Sequence, residues 1–246
     1  LLSSSNKSEI DSSKLLKLFR IKQHYPLVMS AKRKLTEQEF QKTLSYLSII
    51  VFRYTVIGNQ PLGDPEKIYF TTAQNIESGK LKNALDVARA LKDYYLSDKQ
   101  FSSLFENKVI ITRDSKNNKV ARYIYSEIEK EKSRIKSDIN DDSITIEHIL
   151  PQNPNDTWSS IDASDREKYI YHVGNMMLLE KSLNKDAENK SFNEKKVLYE
   201  QSKFQQVSEL LTSLDTINDS WDVRNIEKRA HMLSKYASQI WRINNI

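Results

Sequence analysis

The chain has four histidines, His24, His148, His172 and His231, and a neutral imidazole is the side chain best suited to take a proton from water near pH 7. His24 precedes Tyr25 and Pro26 without an evident partner, and His231 lies beside the apolar stripe of the last helical segment. Both read as packing or surface residues. His148 keeps different company: Glu147 before it, Pro151 after it, and a β-branched run leading in. A carboxylate followed by a histidine at a strand end suits metal-assisted phosphodiester hydrolysis, in which the carboxylate holds a hard cation and the imidazole deprotonates water. Taken alone, the same pair also describes a capped, hydrogen-bonded histidine. Adjacent strand residues point to opposite faces, so Glu147 and His148 share a site only where the strand kinks or ends, which Pro151 permits.

A second group follows: Gly174-Asn175, four apolar residues, Glu180, then Leu183-Asn184, Asn189 and Phe192. An asparagine opening a second strand can tie down the intervening loop by side-chain hydrogen bonds. One early in the following helix can offer an amide oxygen to a cation such as Mg²⁺. Asn175 as a plain turn residue and Asn184 as a helix cap are the alternatives. Lys181, Lys185, Lys190, Lys195, Lys196 and Lys203 crowd this region and can contact phosphates, although Glu188, Glu194 and Glu200 dilute them into what also reads as a solvated face. Trp158, Tyr169 and Tyr171 fit either a groove or the core.

The elements that must position these residues are mostly helical. Only 4 glycines and 5 prolines occur in 246 residues, too few for an all-β sandwich or barrel. Residues 37–57 place Phe40, Leu44, Leu47, Val51 and Tyr54 on one helical face, with Thr36 as N-cap and Glu39 as its capping-box partner. Gly58 to Gly63 breaks that helix. Helical patterns resume over 65–77, 80–95, 99–107 and 119–135, the last running into the charged EKEKSRIKSD, a solvated end or linker. The character changes at Asp141: a strand over 143–150, a polar stretch over 152–164, one or two helical turns over 165–172, a turn at 174–175 and a strand over 176–179. A helix over 191–202 packs through Phe192, Val197 and Leu198, and a final helix over 222–241 lines up Ile226, Ala230, Leu233, Ala237 and Ile240. The expected division is a helical bundle over 1–140 and a second domain over 141–246.

Composition narrows the function. No cysteine is present, which excludes a disulfide scaffold, a cysteine-ligated zinc or iron–sulfur site and a thiol nucleophile. No apolar run approaches the ~20 residues of a membrane span, and residues 1–5 lead into charge rather than a signal-peptide core, so a cytoplasmic protein is expected. The formal charge of +5 hints weakly at nucleic acid. The chain starts at Leu1 rather than Met, which reads as a piece of a longer protein, and it carries no glycine-rich phosphate loop.

EHILPQ from Glu147, HVGNMMLLEKSLN from His172, and NKSF with the following Lys195 and Lys196 resemble the HNH, or ββα-metal, nucleases. More closely they resemble the C-terminal nuclease domain of GmrSD-type modification-dependent restriction endonucleases, over about 141–246. The spacing of Trp221, Ile226 and Arg229 and the closing Ile240-Trp241 are similar to that domain's last helix. The resemblance implies a mainly α fold with an embedded ββα-metal finger. It implies a DNA endonuclease of an anti-phage restriction system, using Mg²⁺ or Mn²⁺. By the same resemblance His148 is the general base, Glu147 and Asn184 are metal ligands, Asn175 orders the loop, Asn184 completes the catalytic set, and Asn189 and His172 assist. Lys181, Lys185, Lys190, Lys195 and Lys196 face the DNA. Departures are the Glu in place of Asp, the Asn in place of the final His, and the missing cysteine pairs. The family's upstream nucleotide-binding domain, with its Asp-Gly-Gln-Gln-Arg signature, is absent from this chain, and that domain, double-stranded DNA (modified or not) and a second copy are the expected partners. A helical module whose degenerate finger only grips nucleic acid or protein is the alternative, and RNA is the alternative substrate.

Overall fold

The computed structural model describes residues 12–60, 65–133, 140–159, 161–214 and 220–246. The chain divides into two compact units, Leu1–Phe101 with Trp241–Ile246, and Ser102–Ile240. The described residues are mainly helical with one small two-stranded sheet. Among the described residues no helix is long and apolar enough to cross a membrane.

The first unit holds α1 (Ser12–Leu18), α2 (Tyr25–Lys34), α3 (Glu37–Val51), α4 (Pro65–Glu77) and α5 (Ala84–Ala90). Phe40, Leu44, Leu47 and Val51 form the buried face of α3, and Thr36 caps it by accepting the Glu39 N–H. The reciprocal half of the capping box is not made. The Glu39 carboxylate instead accepts the Ala84 N–H at 2.7 Å, satisfying an orphan donor at the start of α5. The helix expected over 37–57 changes character at Phe52, where a π-helical stretch (Phe52–Ile57) begins. Within it, fully buried Arg53 donates to the carbonyls of Leu96 and Trp241, to Asp98 and to the Tyr95 hydroxyl. Those partners offset the cost of desolvating a guanidinium. Of the expected break after this helix, residues 61–63 lie outside the described residues, as do residues 1–5 and residues 134–139 of the charged stretch.

The second unit takes up the chain within α6 (Asp98–Glu106) and continues with α7 (Ser115–Ser133), β1 (Ile144–His148), α8 (Ala163–Ile170), β2 (Met176–Glu180), α9 (Lys181–Ala187), α10 (Phe192–Tyr199), α11 (Gln205–Ser213) and α12 (Val223–Ile240). The strands pair antiparallel, with Ile144 opposite Glu180 and His148 opposite Met176. A two-stranded ribbon is marginal in water by itself. Here every residue of Met176 to Leu179 is buried, with core side chains including Ile149, Leu150, Tyr171, Phe192, Val207 and Ile226 around the ribbon. On α10, Val197 is 61% exposed, contrary to the sequence expectation. The inward face is Phe192, Lys195 and Tyr199, three and four residues apart, and Val197 falls opposite it. The stripe of Ile226, Ala230, Leu233 and Ala237 on α12 is buried. Buried Glu129 on α7 accepts the N–H groups of Gln205 and Gln206, so a carboxylate sits at the otherwise uncapped start of α11.

Candidate active site around His148

The polar stretch between the strands is closed by Asn175. Its Oδ1 accepts the Leu150 N–H at 2.8 Å and the Trp221 indole N–H at 2.9 Å, and its Nδ2 donates to the carbonyls of Leu150 and Ile170, both at 3.0 Å. One fully buried amide thus ties the two ends of the loop to each other and to Trp221, two residues before α12. Gly174 is required by close approach: a Cβ there would lie 2.0 Å from the Ile226 carbonyl oxygen. That fit lets Arg229 donate to the carbonyls of Gly174 and Met176 at 2.8 and 2.7 Å. Trp221, Ile226 and Arg229, picked out by their spacing, therefore converge on the turn that starts β2.

His148 ends β1 and is 7% exposed. Its Nε2 lies 3.0 Å from the Thr112 hydroxyl, and its ring meets Tyr171 edge to face at 5.6 Å between centroids. The Gln152 amide nitrogen is nearly equidistant from the two ring nitrogens, 3.4 Å from Nδ1 and 3.5 Å from Nε2. Burial, and secondarily the nearby Lys195 charge, push the imidazole down to about 4, so it is neutral at physiological pH with a lone pair available. His172 is likewise pushed down to about 4, first by burial and then by Lys168, but its Nδ1 accepts the Gly174 N–H. It packs in the turn.

β1 stays regular through Glu147, opposite Met177, and His148, opposite Met176. The two side chains accordingly go to different neighbours. Glu147, 3% exposed, accepts the Lys195 ammonium at 2.7 Å and the Tyr199 hydroxyl at 2.6 Å, both on the same oxygen, and both donors come from α10. Lys195 is fully buried and also donates to the His148 carbonyl at 3.0 Å. Burial pulls the Lys195 ammonium below its ordinary range, and Glu147 opposes that shift. Asn184 on α9 is half-buried and uses its amide N–H groups on the Thr145 hydroxyl at 2.9 Å and the Ile146 carbonyl at 3.1 Å. As folded, this donor set does not fit a divalent cation. Its one carboxylate is neutralised by an internal ammonium, and among the described residues no group of three His, Cys, Asp or Glu side chains could hold a metal.

Of the lysines read as facing DNA, Lys181, Lys185 and Lys190 are exposed and Lys196 is half-buried, whereas Lys195 points into the core. The physical reason is helix phase: Lys195 shares the inward face with Phe192 and Tyr199. Lys181 and Lys185 lie one turn apart on α9, the helix that also carries Asn184. Asn189 is exposed, and its carbonyl accepts from Asn155. Trp158, Tyr169 and Tyr171 all belong to the core rather than a groove. Thr112 and Tyr199 were not found from the sequence. Tyr199 carried a signal, its four-residue spacing from Lys195, but nothing local marks Thr112, which lies far upstream of His148 in the chain.

Residues 95–236 match the family described as GmrSD restriction endonucleases, C-terminal domain. No curated protein matches the chain. The match covers more than half of the sequence and includes His148, the Gly174-Asn175 turn, α9, α10 and most of α12. The chain belongs to the family of GmrSD restriction endonuclease C-terminal domains.

Proposed function

We propose that this chain is a DNA endonuclease domain of a restriction system, with the segment from β1 through α9 acting as an HNH finger and His148 as the general base. The observation that carries the reading is a buried, hydrogen-bonded imidazole at the end of β1, in a chain of a restriction endonuclease family. His148 takes a proton from water as the water oxygen bonds to phosphorus, and the 3′ oxygen departs with the electrons of the broken P–O bond. Exposed Lys181 and Lys185 supply positive charge toward the phosphates. Asn175 acts indirectly, by ordering the loop. Modified DNA as the trigger, nucleotide control by an upstream domain, and pairing of two copies for a double-strand break belong to the same proposal.

The test is supercoiled plasmid incubated with the chain in Mg²⁺, in Mn²⁺ and in EDTA, beside His148→Ala. The expected result is nicking or linearisation that falls at least about 100-fold in the variant, the usual scale of a general base. Cutting retained by His148→Ala sinks the mechanism. The metal arms read whether a cation competes with Lys195 for Glu147. One observation favours a second reading: the neutralised Glu147 suits a finger that grips DNA without cutting, which predicts binding unaffected by either metal or EDTA.

A further inference from the structure

We propose that Thr112 is a positioning residue for His148: its hydroxyl engages Nε2 and leaves Nδ1 as the atom that takes the proton from water. The inference rests on His148 being the base, and it adds a residue contributed by the loop between α6 and α7.

The geometry begins with backbone pairing. The Ile110 N–H donates to the Tyr171 carbonyl at 2.8 Å, the Val173 N–H donates to the Lys108 carbonyl at 2.8 Å, and Val109 bridges His172 antiparallel. A short strand-like segment thus lies against the turn that Asn175 closes. The loop beyond it is held at its far end, where Asn117 donates to the Ile111 carbonyl at 3.2 Å and Asp114 accepts the Lys116 N–H at 2.9 Å. Thr112, 6% exposed, sits between these anchors with its hydroxyl 3.0 Å from Nε2. The Tyr171 ring packs edge-on to the imidazole, and the Arg113 guanidinium lies 5.4 Å over that Tyr171 ring. The Gln152 amide nitrogen lies 3.4 Å from Nδ1 and 3.5 Å from Nε2 and so favours neither ring nitrogen. The shorter contact is the one to Thr112: with the ring proton on Nε2 and donated to Thr112 Oγ1, the Nδ1 lone pair is left for water. This is the orienting role a third group plays in any base–nucleophile pair.

The experiment combines ring ¹⁵N shifts of His148, assigned against His148→Ala, with plasmid cutting for the wild type, Thr112→Val and Thr112→Ser. In the wild type the shifts are expected to show the Nε2–H tautomer. Thr112→Val is expected to mix the tautomers and slow cutting about tenfold, the rate equivalent of one net hydrogen bond. Thr112→Ser is expected to restore both. Unchanged shifts and unchanged cutting in Thr112→Val overturn the proposal. If Thr112→Val does not fold, the wild-type spectrum still decides, because an Nδ1–H tautomer there refutes it. Cutting that survives His148→Ala while Thr112→Val still mixes the tautomers defeats the base assignment alone and leaves the positioning contact standing.

Discussion

Replacing Lys195 by methionine isolates the buried ion pair on which the back of the site rests. The ammonium is fully buried, 2.7 Å from a Glu147 oxygen that is itself shielded from water. At that separation and an effective dielectric constant near 20, the gross attraction is about 6 kcal/mol, most of it offset by desolvation of the two charges. The net worth of the pair is therefore small, but the cost of removing one member is not. Lys195→Met leaves Glu147 charged in an apolar setting with only the Tyr199 hydroxyl, and strips a donor from the His148 carbonyl. The expected loss is about 3–5 kcal/mol. Removing the second charge as well, in Glu147→Gln with Lys195→Met, is expected to recover most of that loss. The Gln carbonyl can still accept from Tyr199, and Met resembles the lysine stem in volume. Urea unfolding at pH 7, followed by tryptophan fluorescence, measures it, with Trp158 reporting from 5.9 Å away. A Lys195→Met loss below about 1 kcal/mol, or single-variant losses that simply add in the double variant, would refute the buried-pair argument.

Three further outcomes are expected. His148 and His172 are both held at about 4 against an ordinary 6.5, so the unfolded chain binds protons between those values that the folded chain does not. Their stabilisation is complete above about pH 6.5 and is lost as pH falls toward 4, on the order of 3 kcal/mol for each histidine; equal urea midpoints at pH 7 and pH 5 would contradict this. Gly174→Ala drives a methyl to 2.0 Å from the Ile226 carbonyl oxygen and must shift α12, which predicts a loss of about 1–3 kcal/mol and a melting temperature lower by several degrees; an unchanged melt would show that α12 yields freely. Lys181→Ala and Lys185→Ala are each expected to lower the salt dependence of DNA affinity by about one contact; unchanged salt slopes would remove α9 from the interface.

Much of the local structure was legible in the sequence. Apolar spacing located α3 and α12, Thr36 marked a cap, and the β-branched run before Pro151 marked β1, because these signals act between residues a few positions apart. The family was legible for the same reason: its motifs are short and contiguous around Glu147, His172 and Asn189. The partners of those residues were not. Lys195 reads as one of two adjacent lysines on α10, and only the phase of the packed helix turns it inward to Glu147 rather than outward to phosphate. The opposed directions of Glu147 and His148 follow from strand alternation, yet whether β1 kinked was decided by its unbroken pairing with β2. Thr112 reaches His148 only because the backbone of Lys108 to Ile110 pairs with the Tyr171 to Val173 turn. Residue types and spacing thus singled out His148, while long-range packing chose which groups surround it, since burial and hydrogen-bond partners depend on elements that no local pattern brings together.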